Sequence, residues 1–331
     1  MGPTGSVAIQ GEGVAAACCA WLLGGAGIPF SVARQARTRV PAILVSQATQ
    51  ALMADVFQQP SLFEGLPRLE RRIVAWGPGA EPVTLPHSAV VVSEEALVGR
   101  IEPRGPLADA GQFPEWRLFA SRPLPASAAL RCFGSRHAWA VAAELKAPEA
   151  ASCWVESLGN GWLFLIPGWL IAVGAAPDAL LAASRLVAGQ IRGIRGDPAE
   201  FPAYPRIADP LGGPGWLACG SAAMAFDPIC GDGSGNAVRE AILACAVIRA
   251  AARGEPPGRL LAHYRRRLMA GFLRHLELAL QFYRSGDGGP WWDEEAQALQ
   301  RGVGWCAGEL ARAPAFHYRL EGFDLLPASV R

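Results

Sequence analysis

The 331-residue chain is 51% apolar and carries 30 basic against 29 acidic residues, a formal net charge of +1. That length supports one large domain or two closely joined ones. A balance so near neutral argues against a broad electrostatic role on nucleic acid or an anionic membrane surface. The N-terminal apolar stretch, residues 14–23, is too short to span a bilayer and lacks a basic flank. Met1-Gly2 with Ser6 fits the outline of a myristoylation signal. Pro3 beside the acceptor glycine, and a loose lead into a strand, explain the segment equally well. The eight cysteines show no C-x-x-C pair and no ligand spacing, as expected of reduced core thiols in a cytoplasmic protein with no metal site.

In chain order, residues 6–10 read as a buried strand, 14–24 as an apolar helix and 30–33 as a second strand. A helix is expected over 47–57, with Leu52, Met53 and Val56 on its apolar face. The pattern then turns to β-type runs at 72–76, 83–86 and 89–92. Ser93-Glu94-Glu95 caps a helix reaching about residue 101. Runs at 116–120 and 128–133 follow, then a strand- and tryptophan-rich segment over 138–175. Pro177 starts a helix expected to last to about 189. A Pro/Gly-rich return at 205–215 leads to a strand at 216–219, and helices are expected at 234–252, 258–283 and 293–311. The expected fold is α/β. A Rossmann-like dinucleotide domain (1–70, 93–137 and 205–255) has a mostly β substrate domain threaded into it (71–92 and 138–204). A C-terminal helical region follows over 256–331.

Three segments carry chemistry. Gly11-Glu12-Gly13-Val14-Ala15-Ala16 has the G-x-G-x-x-A form between a strand and a helix. Gly11 serves the tight turn, Gly13 the close approach of backbone to a pyrophosphate, and Ala16 the packing of helix on strand. Val14 opens the helix whose N-terminal N–H groups would face the phosphates. The acid that normally ends the second strand and holds the ribose is replaced by Arg34. The second segment runs from Cys219 to Ala237. A strand ends at Gly220, a loop turns at Asp227-Pro228, and Gly231 and Gly233 bring backbone N–H groups inward before a helix. The third, Gly161-Trp162-Leu163-Phe164-Leu165-Ile166-Pro167, places Trp162, Phe164 and Ile166 on one face of a strand.

The second segment resembles the flavin loop of FAD-dependent aromatic monooxygenases and flavin halogenases. The third resembles the W-x-W-x-I-P segment of flavin-dependent tryptophan halogenases. Residues 7–23, 72–97 and 152–246, and more loosely 282–292, carry the likeness, which extends to flavoproteins that mature tryptophylquinone cofactors. The resemblance implies that Gly220, Ser221, Pro228, Gly231, Asp232 and Gly233 frame FAD, with Gly11, Gly13, Val14, Ala16 and Arg34 on its pyrophosphate side. Trp162, Phe164 and Asp227 are then the candidate catalytic residues, although Asp227 reads more simply as the residue fixing the turn before Pro228. Trp169, Trp291 and Trp292 offer further stacking surface. Arg131-Cys132-Phe133-Gly134-Ser135-Arg136 resembles the family's D-A-S-G-R segment with its Asp replaced by Arg131. Three acidic positions of the family pattern are thus altered, to Arg34, Arg131 and Ser221, which implies loose FAD or delivery of reduced FAD by another protein.

The activity so implied is hydroxylation of an aromatic, indole-like group, tryptophan in a peptide or protein being the preferred substrate. O2 and either a flavin reductase or NAD(P)H would be the co-reactants. Halogenation would use a lysine in the N-terminal part, but the single lysine is Lys146. A flavin dehydrogenase or reductase and a non-catalytic flavin-fold chaperone remain alternatives. Among the histidines, His137 is a candidate for proton transfer, His275 reads as structural or solvent-facing, and Arg265-Arg266-Arg267 as a solvated helix face.

Overall fold

A computed structural model describes residues 5–35, 40–101, 114–147, 151–313, 316 and 318–328. The Gly2 acceptor and His317 lie outside them. The architecture is α/β, with helices flanking two principal sheets and a helical C-terminal part. The first sheet has the order Gly212–Gly213, Trp216–Ala218, Trp116–Phe119, Val7–Gln10, Phe30–Ala33. Its inner pairings are parallel, Val7 lying beside both Phe30 and Trp116. Parallel strands bury both faces. The first strand therefore alternates only between fully and partly buried positions, and the Val14–Gly25 helix behind it buries Cys18, Cys19 and Leu23 completely. All eight cysteines are free thiols.

The second sheet has eight strands in the order Ile191–Pro202, His137–Leu145, Gly168–Gly174, Gly161–Ile166, Ser152–Leu158, Arg68–Ala75, Val83–Val92, Ile43–Ser46. The two runs expected at 83–86 and 89–92 form one strand, continuous through Pro86, with a bulge in its partner between Leu69 and Arg71. Ile43–Ser46, assigned by sequence to the dinucleotide part, pairs with this strand at the sheet edge. The helix expected to run to 189 stops at Ala183. Beyond it the backbone N–H groups of Arg185, Leu186 and Val187 all donate to the Glu156 carboxylate. Three such bonds to a buried acid outweigh another helical turn. The Ile191–Pro202 strand has no counterpart in the sequence reading, because Gly193, Gly196 and Pro198 interrupt it and its ladder is bulged. Among the described residues no helix is long and apolar enough to cross a membrane.

Candidate functional site

The Gly233–Ala252 helix packs on the Val14–Gly25 helix, and both start at the mouth of one cavity of about 640 Å³. Glu12, Val14 and Ala15 line it from the first turn. Gly220, Ser221, Pro228, Gly231, Gly233 and Ser234 line it from the 220–234 segment. Neither helix has a side-chain cap: Gly13 and Asp232 occupy the N-cap positions without a capping hydrogen bond, and no acid sits in either first turn. Two sets of orphan N–H groups and two positive dipole ends thus open into one space.

The glycines of the two motifs differ in what they permit. A Cβ on Gly220 would lie 2.6 Å from the Cβ of Ala15, so this glycine lets the 220 turn sit against the first helix. Gly231, at φ +61°, would place its Cβ in open space, leaving room for a ligand beside the helix start. Ala16 is buried, as helix packing on the strand requires. Asp232 is held by the Thr49 hydroxyl at 2.5 Å and by Arg239 at 2.6 Å, so its carboxylate anchors the loop. The exposed Ser221 donates weakly to the Ala120 carbonyl at 3.4 Å. Arg34 lies just past the second strand, exposed and away from the cavity lining. Arg131 is also elsewhere, paired with Asp209 on the surface.

The opposite wall is the face of the eight-stranded sheet. Arg72, Val74 and Trp76 line the cavity from alternate positions, as do Trp162, Phe164 and Ile166 on the Gly161–Ile166 strand, beyond the intervening Ser152–Leu158 strand. The period-2 reading of that strand therefore matches the side chains facing the cavity. Trp169, Trp291 and Trp292 do not line it. Trp292 instead packs against Trp76, Tyr283 and Trp291 and donates to the Leu158 carbonyl, while Trp169 packs against the Cys153 and Ile166 side of the sheet.

Behind the cavity lies a polar cluster built around Asp227 and Arg136. Arg136 is 2% exposed, and its Nε donates to Asp227 Oδ2 at 2.6 Å. Its Nη2 lies equally close to that oxygen but off the N–H axis, so the contact is ionic. Arg136 Nη1 donates to Glu295, and the guanidinium lies 4.4 Å over the Tyr283 ring. Burial alone would lower the arginine's pKa; Tyr283, Asp227 and Glu295 around it reverse that and raise it. Tyr283 donates to Asp227, and the Trp162 indole N–H donates to Tyr283. Asp227 also accepts the Ile229 N–H, the turn role expected of a residue before Pro228. Its own N–H donates to His275 Nε2 at 2.8 Å. His275 is buried rather than solvent-facing, and burial, then Arg136, pushes its pKa down to about 3. His137 faces outward and pairs with Glu200, away from the cavity. Arg265 and Arg267 are exposed, whereas Arg266 turns back to the carbonyls of Leu310 and Ala313.

The arrangement fits FAD. The adenine-side pyrophosphate suits the uncapped Val14–Gly25 helix, and the second uncapped helix suits the electron-rich end of the isoalloxazine. No protein-family model and no curated protein sequence matches the chain. Solved structures do. The chain is similar to the peptidyl tryptophan dihydroxylase QhpG, essential for tryptophylquinone cofactor biogenesis, at 22% identity and TM-score 0.72 over 88% of this chain and 78% of that one. The flavin-dependent halogenase CmlS aligns at 16% identity and TM-score 0.75, over 95% and 72% of the two chains. p-Nitrophenol 4-monooxygenase PnpA from Pseudomonas putida DLL-E4 aligns at 13% and 0.64, over 92% and 96%. At these identities what is shared is the architecture, and the chain has the fold of the FAD-dependent halogenases and monooxygenases.

Proposed function

We propose that the chain is an FAD-dependent monooxygenase that hydroxylates an aromatic, indole-like group, with tryptophan in a peptide or protein as the preferred substrate. One observation carries this reading: two uncapped helix N-termini open into a single cavity whose far wall is aromatic and aliphatic. Gly11, Gly13, Val14 and Ala16 would hold the pyrophosphate side of FAD. Gly220, Ser221, Pro228, Gly231 and Gly233 would frame the ring, with Asp232 fixing the loop through Thr49. Arg34 is left out of this set because it is exposed and outside the lining. When bound and reduced, FAD supplies the electrons that activate O2, from NAD(P)H or a separate flavin reductase.

The protein's part is positioning and exclusion of water. Trp162 and Phe164 give an apolar face against which an indole packs, and Trp162 is 1% exposed and held by its hydrogen bond to Tyr283. Asp227 is a positioning residue, since both its oxygens already accept hydrogen bonds from Arg136, Tyr283 and Ile229. Tryptophan as substrate is supported by the likeness to a structure described as a peptidyl tryptophan dihydroxylase. Oxygenation is favoured over halogenation because Lys146, the single lysine, is exposed and outside the cavity lining. The test is turnover of tryptophan-bearing peptides with FAD, a reductase and labelled O2. Label in the product supports the proposal; oxidation without label would show dehydrogenation instead.

A further inference from the structure

Among the described residues, five charged side chains line the cavity: Glu12, Arg72, Glu94, Asp227 and Glu240. Arg72 is the one cation among them, and none of the ion pairs among the described residues involves it. Its Nη2 donates to His87 Nε2 at 3.0 Å, and the thiol of Cys153 lies beside it on the next strand. Both neighbours are neutral. Burial, then Arg72 itself, lowers the His87 pKa, and burial raises that of Cys153. The Arg72 Nε is buried with no partner. A permanent cation with an orphan donor beside apolar walls is costly unless an anion completes it.

The acids do not serve that purpose. Asp227 is taken by Arg136 and Tyr283, and Glu240 is buried, which pushes its pKa well above the ordinary carboxylate value and so disfavours its charged form. Glu94 lies near the Val40 N–H, and Glu12 sits in the turn before the first helix. Arg72 shares a strand face with Val74 and Trp76, next to the aromatic wall. Directly across from it on the neighbouring strand is Leu85, 46% exposed, which marks this as the open side of the cavity.

We infer that the cavity reads an acidic group on its aromatic substrate, with Arg72 as the residue that binds that carboxylate. The aromatic half of this statement rests on the oxygenase reading above; the anionic half rests on Arg72 alone. A guanidinium suits a carboxylate because its N–H fork matches the two oxygens. The group is carried either by a small aromatic acid or by an acidic side chain beside a tryptophan in a polypeptide.

The experiment measures binding of indole-3-acetate and its neutral isostere indole-3-acetamide by calorimetry, with and without FAD. A second pair is a short peptide with Asp next to Trp, and the same peptide with Asn. The acidic member of at least one pair is expected to bind about ten-fold tighter or better. Which pair shows the preference identifies the source of the carboxylate. Arg72→Gln should abolish the preference and leave FAD affinity within about twofold. Leu85→Glu, at an exposed position that tolerates change, should abolish it as well by supplying Arg72 with an internal partner. Equal binding within both pairs overturns the inference, as does a preference that survives both variants. A large loss of FAD affinity in Arg72→Gln with the preference unchanged overturns it too, by assigning Arg72 to the cofactor. If FAD does not bind while the acid preference holds, the oxygenase reading falls and the anion site stands.

Discussion

The Tyr283 hydroxyl donates to Asp227 Oδ2 at 3.0 Å while accepting the indole N–H of Trp162 at 3.2 Å. One oxygen thus joins the cavity wall to the loop that leads into the Gly233–Ala252 helix. Tyr283→Phe keeps the ring against Trp291, Trp292 and Arg136 but strands the Trp162 N–H in a dry interior. An orphaned buried donor costs about 1–3 kcal/mol. Thermal unfolding should show Tm lower by several degrees, at about 2–4 °C per kcal/mol for domains of 150–250 residues. An unchanged Tm would mean that water or a shifted side chain satisfies the indole.

Arg136 holds Asp227 and Glu295 together, and Glu295 also takes the backbone N–H of Ser135. Arg136→Met leaves both carboxylates buried without their cation. Breaking such a cluster from one side costs about 3–5 kcal/mol. Denaturant unfolding should therefore show a larger loss than for Tyr283→Phe. Arg136→Met combined with Asp227→Asn and Glu295→Gln should recover part of it, because no buried charge is then left alone. A triple variant as unstable as the single one would show that the ionic cluster is not where the stability resides.

Much of this was legible in the sequence. The G-x-G-x-x-A turn, the Asp227–Gly233 loop and the alternation of Trp162, Phe164 and Ile166 all involve residues close in the chain, where spacing maps directly onto geometry. The Arg136–Asp227–Glu295–Tyr283 cluster was not, because its hydrogen-bonded pairs are 56 to 159 residues apart and meet only through tertiary packing. Its one signal was the likeness of residues 131–136 to the family's D-A-S-G-R segment, which ends on Arg136 but does not tell which acids pair with it. Arg72 was hidden differently. It falls in the run Arg71-Arg72, and only strand pairing decides which of the two faces the cavity. Trp291 and Trp292 misled because an aromatic pair signals burial without saying whether a cavity or a neighbouring helix covers it.

Gly231 separates a requirement of the fold from one of the ligand. Its positive φ makes Gly231→Ala cost about 1–2 kcal/mol in backbone strain, while its Cβ would meet nothing. Gly231→Asn suffers less, since Asn tolerates the left-handed region. Gly231→Asp is nearly isosteric with Asn but sets a negative charge in the space proposed for the flavin. FAD titration should show near-normal binding by Gly231→Asn and at least about ten-fold weaker binding by Gly231→Asp. Equal affinity in the two variants would place the cofactor away from this loop.

Glu240 is 3% exposed beneath Gly220, with its Oε2 unpartnered. Burial raises its pKa well above the ordinary carboxylate value, and a hydrogen bond from the Gly220 backbone opposes that only in part. A folded-state pKa above the unfolded one means that the native protein binds the extra proton once pH exceeds about 4.5. The contribution to stability is therefore complete below about pH 4.5 and is lost as pH rises towards the folded value, at up to about 1.4 kcal/mol per pH unit. Glu240→Gln keeps the shape and the acceptor for Gly220 without titrating. Relative to wild type it should be about equally stable near pH 4.5 and progressively more stable as pH rises from there towards the folded-state value, as read by urea midpoints. A difference that does not change with pH would mean that Glu240 is ionised in the folded protein and has found a cation.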